Sequence, residues 1–519
     1  MRPIRGRAPS RRVRHRSGLA WACLLSLALL DCGPNHARTG AKSSTLTVLY
    51  PTDELWHVPA EFLLFLPLAA QSPQCKLEGR LARSWEHSRD YRTWTVHLRS
   101  GVRWHDGAPV TALDVKFTFD LASQPAIGDF APDAQQVTVL DDSTVTIRFH
   151  RPPVEWWLDY LPVYPRHILV GLDPGRFYEW DFWSHPVGDG PYRYVRHLPH
   201  TMLELAANPD FYRGKPRIDR VILKFGEQSL TELLSGNVDA IAWVREMDLL
   251  KIREDPRFRV YYTVAPEHIR TILWNERNPL FRDPRVRRAL TLAIDRRELL
   301  QVLNLPAKTP VFDVLFSRDQ FHRDEVPQSL PYDPEAAKRL LAEAGWRDSD
   351  GDGVLDQGGR PFRFRAFVRA EEDQDKAAVF VQSQLQRVGI RMAIEILEPA
   401  AAWERIRAGD FQAAFGIVNE DLDGPLGHLD VFGAGSIIGY RNARVSATLR
   451  DAAERFDPVE IDRRYREVWP IFQADLPATF LYPLVQTTVA HRRVRGLSSP
   501  YREDPVWYMD ELRLEDSLP

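Results

Sequence analysis

Residues 77–119 read LEGRLARSWEHSRDYRTWTVHLRSGVRWHDGAPVTALDVKFTF. Within this stretch, residues 93–98 alternate ring-bearing and aliphatic side chains with polar ones, which predicts a half-buried strand. The pair Asp106-Gly107 is typical of a tight turn. Thr111 then precedes an apolar segment and Asp114 stands three residues later, a spacing that predicts a capped helix start. The stretch therefore predicts a strand, a turn and a helix in close succession.

This combination resembles the family 5 extracellular solute-binding proteins, which are the peptide- and nickel-binding receptors of bacterial ABC importers. Further segments resemble the same family in the same order along the chain. They are HPVGDGPYRYV (185–195), LELAANPDFYRGKPRIDRVILK (203–224), LSGNVDA (234–240), TILWNERNPLFRDPRVRRALTLAIDRRELL (271–300), YDPEAAKRLLAEAGW (332–346) and DLPATFLYP (475–483). The resemblance therefore extends over most of the chain.

The resemblance implies an α/β fold of the periplasmic binding protein type II-like class (cluster C), with two main lobes and an inserted extra lobe around a ligand cleft. It places lobe one at residues 45–72, 184–270 and 486–519, the inserted lobe two at 73–183, and lobe three at 271–485. Two connecting segments, near 271–275 and 481–485, would form the hinge between lobes one and three. Binding proteins of this type close over a ligand held in the cleft.

Local patterns predict further elements by alternation or by helical periodicity. The predicted strand is 46–50, the predicted hairpin is 137–149, and the predicted helices are 286–300, 334–344, 373–388 and 461–472.

The amino terminus has the features of a targeting segment, assigned to residues 1–32. A basic region at 2–16 precedes an apolar run of 13 residues at 18–30, which is too short to span a bilayer. The sequence ALLDC at 28–32 resembles a lipoprotein cleavage box in which Cys32 would be lipidated, although Asp31 departs from the usual small residue. Residues 33–44 would form a tether. We therefore expect a periplasmic or extracytoplasmic protein, lipid-anchored to the cell membrane.

Composition narrows the class of protein. The chain has 519 residues, 44% hydrophobic residues and 15 Trp, as in a large soluble globular protein. Seven Arg lie in residues 1–31, so the rest of the chain is more acidic than the formal net charge of −3. Without a basic stripe there, no nucleic-acid partner is expected. With Cys32 acylated, Cys75 would stand alone; otherwise these two cysteines could pair.

The ligand site is predicted from two loops and two aromatic residues. Related peptide receptors hold the ligand's ammonium group with a carboxylate after the strand that resembles residues 411–418, which makes Glu420, Asp421 and Asp423 candidates. The opposite wall would come from the loop after the first strand, with Tyr50, Asp53 and Glu54. Trp403 and Phe415 are candidates for apolar walls, although such aromatic stretches usually form core. Two acidic loops facing one cleft repel each other unless a cation lies between them, which favours a ligand with a positive charge. Alternatively, each acid is an ordinary surface residue.

The segment DSDGDGVLD (348–356) follows the spacing of a calcium loop. Asp348, Asp350, Asp352 and Asp356 occupy positions one, three, five and nine of such a loop. Position twelve is Gly359, where a glutamate ligand belongs. The two interpretations are a structural calcium ion and a simple turn, and no other cofactor is expected.

The expected function is that of an ABC transporter substrate-binding protein. It would capture a peptide or similar small solute, deliver it to a membrane permease, act as a monomer and catalyse no reaction. One alternative is a ligand-sensing receptor of the same fold. Another is a hydrolase, which is disfavoured because the chain has no Gly-x-Ser-x-Gly, His-Glu-x-x-His or P-loop motif.

Overall fold

The computed structural model places Ser43–Pro519 in one compact unit. It describes residues 44–50, 60–72, 76–124, 127, 134–151, 153, 157–227, 229–244, 246–317, 320–321, 325–370, 374–419, 425–455, 457–497 and 509–515. The predicted leader with Cys32, and residues 33–43 of the predicted tether, lie outside these residues.

The strands are β1 (Thr45–Tyr50), β2 (Ala69–Gln71), β3 (Leu77–Gly79), β4 (Ala82–His87), β5 (Thr93–Leu98), β6 (Ala134–Asp141), β7 (Thr144–Phe149), β8 (Tyr192–Leu198), β9 (Met202–Ala207), β10 (Arg220–Phe225), β11 (Ala240–Ile241), β12 (Phe258–Trp274), β13 (Asp356–Gln357), β14 (Arg360–Pro361), β15 (Arg363–Arg369), β16 (Arg391–Leu397), β17 (Ala413–Asn419), β18 (Ala478–His491), β19 (Val494–Arg495) and β20 (Arg513–Leu514).

The α-helices are α1 (Ala60–Leu64), α2 (Ala112–Ala122), α3 (Trp157–Tyr160), α4 (Arg166–Leu169), α5 (Leu230–Leu234), α6 (Glu246–Ile252), α7 (Pro284–Leu292), α8 (Arg296–Val302), α9 (Pro334–Glu343), α10 (Gln374–Gln386), α11 (Pro399–Arg407), α12 (Pro425–Phe432), α13 (Ala443–Ala453) and α14 (Pro458–Asp475). Short 3-10 helices lie at Pro174–Glu179, Asp181–Ser184, Pro279–Phe281 and Met509–Glu511. Among the described residues, no helix combines the length and the apolar character needed to cross a membrane.

Two sheets organise the molecule. The larger has ten strands in the order β16-β15-β17-β12-β18-β11-β1-β10-β9-β8, and the second has four in the order β4-β5-β7-β6. The second sheet confirms the strand predicted at 93–98 and the hairpin predicted at 137–149. The capped helix is also confirmed, because the backbone N–H of Thr111 donates to Asp114 Oδ2 over 2.8 Å at the start of α2.

The prediction of a single helix at 286–300 is wrong. The chain forms α7 and α8 there, and the interruption lies at Asp295. The Asp295 carboxylate accepts a hydrogen bond of 2.9 Å from the backbone N–H of Glu298. A side chain that caps a helix start in this way holds its own backbone outside helical geometry, so a new helix begins although the apolar periodicity continues.

The hydrophobic core is distributed over separate clusters. The first joins Leu46 of β1 and Leu223 of β10 to Trp94 of the four-stranded sheet. Two others are built from residues between 269 and 485, and they include Trp274 in one and Phe432 in the other. The boundaries of the three predicted lobes stay a prediction within this arrangement.

The segment that follows α1 is held by the predicted HPVGDGPY motif. The backbone N–H of Gly190 donates to the Leu64 carbonyl over 2.8 Å, and a Cβ atom at Gly188 would lie 1.8 Å from that oxygen. The buried carboxyl of Asp189 accepts from the Leu66 N–H over 2.8 Å, and burial raises the pKa of this carboxyl well above its usual range. Only glycine permits this approach, so the motif fixes the chain immediately after residues 51–59.

Candidate functional site: the carboxyl ends of opposed strands

The direction of the strands in the larger sheet defines a candidate site. Leu49 of β1 pairs with Ile241 of β11 in parallel, and Ile241 pairs with Val489 of β18. Val489 in turn pairs with Val260 of β12. The carboxyl end of β1, at Tyr50, therefore lies level with Tyr261, the residue that follows Val260 in β12.

β15 and β17 run in the opposite direction. The last residue of β17, Asn419, pairs with His268 of β12, and β15 is parallel to β17. The carboxyl ends of β1 and β11 thus point toward those of β15 and β17. Measured along β18, from Thr488 to Pro483, they are about five residues apart, or roughly 17 Å. The pairing of β12 with β18 is irregular between Ala265 and Ile269. In open α/β sheets, ligands bind outside the carboxyl ends of strands at such a change of direction.

The predicted acidic loops follow directly from these ends. Asp53 and Glu54 come after β1, and Glu420, Asp421 and Asp423 come after β17. All five lie outside the described residues, so their roles stay predictions. The strands that precede them do run toward each other, as the interpretation of a shared cleft requires.

The predicted aromatic residues occupy three different environments. Tyr50 is fully buried, with its ring centroid 6.4 Å from that of Trp243 in an edge-on arrangement. Phe415 is buried in the same hydrophobic cluster as Trp274. Trp403 on α11 is 38% exposed, and the Arg407 guanidinium lies 5.2 Å from its ring centroid. Core packing accounts for Tyr50 and Phe415, and a contact of any of the three with a ligand stays a prediction.

Three polar residues at this place were missed by sequence reasoning. The buried atoms Trp243 Nε1, Thr263 Oγ1 and Gln486 Oε1 have no hydrogen-bond partner within the described part of the chain. Thr263 and Gln486 are directly opposite each other in the antiparallel pair β12–β18, so their side chains share one face. Leaving a buried polar group unpaired costs about 1–3 kcal/mol, so each such group calls for an explanation.

All three side chains lie on the face of the sheet that carries the first hydrophobic cluster. Tyr261, two residues before Thr263, packs against that cluster, and so does Trp243. Trp243 follows β11 with a positive φ of 56°, which turns the chain at this strand end. An indole N–H, a hydroxyl and an amide oxygen provide both donors and acceptors. The arrangement suits a ligand that itself carries both, such as one with amide groups.

His105 has a structural role. Its Nδ1 accepts from the Gly188 N–H over 3.1 Å, and its Nε2 lies 3.1 Å from the Gly190 carbonyl oxygen. Burial lowers the pKa of this imidazole to about 4, so it is neutral at physiological pH. The residue joins the predicted turn to the glycine motif.

The predicted calcium loop is partly assembled. Asp348, Asp350 and Asp352 are exposed, and each offers an oxygen within 4.8 Å of the others. Asp356 is not part of this group, because its carboxylate accepts from the backbone N–H and the hydroxyl of Ser349 over 3.0 and 2.5 Å. Backbone N–H groups of the loop also donate to the three grouped carboxylates, for example Gly351 to Asp348 over 2.8 Å. The loop therefore forms a hydrogen-bonded turn, and calcium binding stays a prediction.

Comparison with known proteins identifies the family. Residues 76–439 match the family described as bacterial extracellular solute-binding proteins, family 5 Middle. The chain belongs to this family. The family 5 resemblance of the sequence segments is thereby confirmed.

The matches to relatives extend over most of this family 5 chain and over most of each relative. It is 26% identical over 456 residues to the oligopeptide-binding protein AppA of Bacillus subtilis, covering 84% of this chain and 83% of that protein. The structure of the B. subtilis AppA in complex with a nonapeptide is 25% identical and superimposes with a TM-score of 0.66, covering 91% of this chain and 99% of that one.

A more distant structure shares the same fold. NikA from Brucella suis, in complex with Fe(III)-EDTA, is 18% identical and has a TM-score of 0.77, covering 91% of this family 5 chain and all of the other. The predicted α/β fold of the periplasmic binding protein class is confirmed.

Proposed function

We propose that this protein captures a peptide or a similar small solute outside the cytoplasmic membrane and delivers it to an ABC permease. The observation that carries the proposal is the opposition of strand ends across the pair β12–β18. Buried polar atoms on this strand pair also have no partner among the described residues. Family membership supports a small solute as the ligand, and the relative solved with a nonapeptide supports a peptide. Binding and release suffice for the role, so no catalytic group is needed.

The ligand class follows from the chemistry around the site. The polar atoms of Trp243, Thr263 and Gln486 would pair with amide groups, which an extended peptide presents at regular intervals. The acidic loops after β1 and β17 would hold a positive charge, such as the peptide's amino terminus. Aromatic neighbours such as Tyr50 would limit access of water to these contacts.

The protein would reach the site of capture through its leader and remain there through a lipid on Cys32. It would act as a monomer, because one chain supplies both groups of strand ends. Lobe closure about β12 and β18 would give the permease a ligand-loaded form to recognise.

The first experiment identifies the ligand. Native mass spectrometry of the purified full chain is expected to show a small adduct, which denaturation releases for sequencing by tandem mass spectrometry. Calorimetry with the stripped protein should then give saturable binding of the recovered molecule. A protein that carries no adduct, and that gives neither heat nor a thermal shift with a pool of random peptides, would contradict the proposal.

The second experiment tests the charge of the site. Asp421→Asn and Asp423→Asn should weaken binding by about 3–5 kcal/mol, the cost of leaving a desolvated charge without its partner. Asp142→Asn is the control, because Asp142 is exposed in the turn between β6 and β7. If amide replacement of Asp53, Glu54, Glu420, Asp421 and Asp423 leaves affinity unchanged, the ligand carries no cation at this place.

A further inference from the structure

A second concave site lies on the larger sheet, at the amino ends of β15, β16 and β17. It has a volume of about 590 Å³. Its lining includes four arginines, Arg363, Arg365, Arg391 and Arg405, and the acidic residue Asp410. Four guanidinium groups around one small cavity give it a strongly positive character.

The strand register brings two of these charges directly together. Arg363 of β15 and Arg391 of β16 are partners in the parallel pair. Both are exposed, while the residues that follow them, Phe364 and Met392, are buried. Like charges placed opposite each other destabilise a sheet, so this placement has a cost in the free protein.

The nearby carboxylates neutralise the arginines incompletely. Glu395 is shared by Arg365 and Arg405, at 2.9 and 3.1 Å. Asp410 also pairs with Arg405, at 3.0 Å, and within the described residues it makes no ion pair with the other three arginines. Among the described residues, the one carboxylate that pairs with Arg363 is that of the exposed Asp352, at 3.5 Å.

Arg391 is the least compensated of the four. Its guanidinium makes no ion pair or hydrogen bond with any described residue. Behind the charged rim lies the buried side chain of Phe367, and the Arg405 guanidinium stacks 4.1 Å from its ring centroid. The positive rim is suited to a small molecule that carries an anionic group.

This pocket is separate from the site at the strand ends. It lies where β15 and β17 begin, whereas the candidate peptide site lies where the same strands end, after Arg369 and Asn419. The inference therefore does not depend on the proposed transport function.

We propose that this pocket binds a small anion that carries phosphate or carboxylate groups. The planar guanidinium fork binds both groups in a bidentate manner, and a bound anion would relieve the repulsion between Arg363 and Arg391. The concavity has the volume of one small molecule, which favours a free anion over the head group of a lipid in a flat membrane surface.

The test measures binding of pyrophosphate and of citrate to the full chain by calorimetry, at low salt and at about 0.15 M salt. We expect saturable binding of at least one of them, with affinity at least tenfold lower in Arg391→Gln. The change leaves no carboxylate unpaired, so the variant should fold, as an unchanged melting temperature would show. The control is Arg339→Gln, because Arg339 is exposed on α9 without an ion pair among the described residues. Its affinity should stay within twofold of the wild type.

The inference is overturned if neither pyrophosphate nor citrate binds the wild type saturably. Two further results would also overturn it. One is an affinity that is equal in the wild type and Arg391→Gln, or reduced equally by Arg339→Gln, since both would mean non-specific charge attraction. The other is binding only to vesicles that contain phosphatidylglycerol, which would assign the arginines to a lipid surface. Arg391→Gln should bind the recovered solute normally, so failure of this inference is distinguishable from failure of the transport proposal.

Discussion

Replacing Thr263 with valine should raise stability and lower affinity for the solute. Thr263 is 1% exposed, and its hydroxyl has no partner within the described residues, so the wild type bears an unpaired buried polar group. Valine has nearly the same shape without the hydroxyl. The free energy of unfolding should increase by about 1 kcal/mol, which corresponds to a rise in melting temperature of about 1 °C for a chain of this size. Loss of a hydrogen bond to the solute should weaken binding about tenfold.

The matched control is Thr479→Val, in the same strand as Gln486. Thr479 is also fully buried, but its hydroxyl accepts from Trp274 Nε1 over 3.1 Å and lies 2.7 Å from Thr291 Oγ1. Valine there leaves Trp274 Nε1 without its acceptor, whereas the Thr291 hydroxyl keeps its hydrogen bond to the Arg287 carbonyl over 3.1 Å. Stability should therefore fall by about 1–3 kcal/mol while affinity remains unchanged. Calorimetry with the recovered solute and scanning calorimetry of each variant give both quantities. An unchanged affinity in Thr263→Val would refute the proposal that the strand pair β12–β18 contacts the ligand.

Three further predictions concern pH, anchoring and metal. Glu61 is held by the Tyr164 hydroxyl at 2.6 Å, and burial raises the pKa of its carboxyl from 4.5 to about 7. The folded state therefore binds this proton more tightly than the unfolded state. The contribution of the protonated Glu61 to the free energy of unfolding should be complete below pH ~4.5. It should fall by up to about 3 kcal/mol as the pH rises toward 7. Glu61→Gln should flatten this part of the stability profile in urea titrations from pH 4 to 8; an identical slope in both proteins contradicts the shift. Cys32→Ala should abolish metabolic labelling with a fatty acid, whereas persistent labelling would exclude Cys32 as the anchor and an unlabelled wild type would mean that Asp31 blocks processing. Calcium should raise the melting temperature of the wild type and not of Asp348→Asn; an equal response in both would leave the loop as a turn only.

Several elements of the fold could be predicted because their signals are local. The strand at 93–98, the Thr111 cap and the 137–149 hairpin each depend on residues within a few positions of one another. The division between α7 and α8 was missed because the apolar periodicity continues through it. The competing signal was Asp295 with Glu298 three residues later, which is itself local and could have been used.

The candidate site was harder to predict because it depends on register. A threonine or glutamine inside a strand is normally interpreted as facing solvent. Thr263 and Gln486 become neighbours only through the pairing of β12 with β18, which joins positions far apart in the sequence. The same limitation applies to Arg363 and Arg391, whose juxtaposition is visible only in the parallel register of β15 and β16.

The most direct test of the account is small-angle X-ray scattering of the stripped protein with and without the recovered solute. Because the strand ends on both sides of β12 and β18 would contact one ligand, the account predicts a smaller radius of gyration at saturation. Thr263→Val, saturated at a higher solute concentration, should reach the same closed value. A radius that does not change when calorimetry shows full occupancy would contradict a site between the two groups of strand ends.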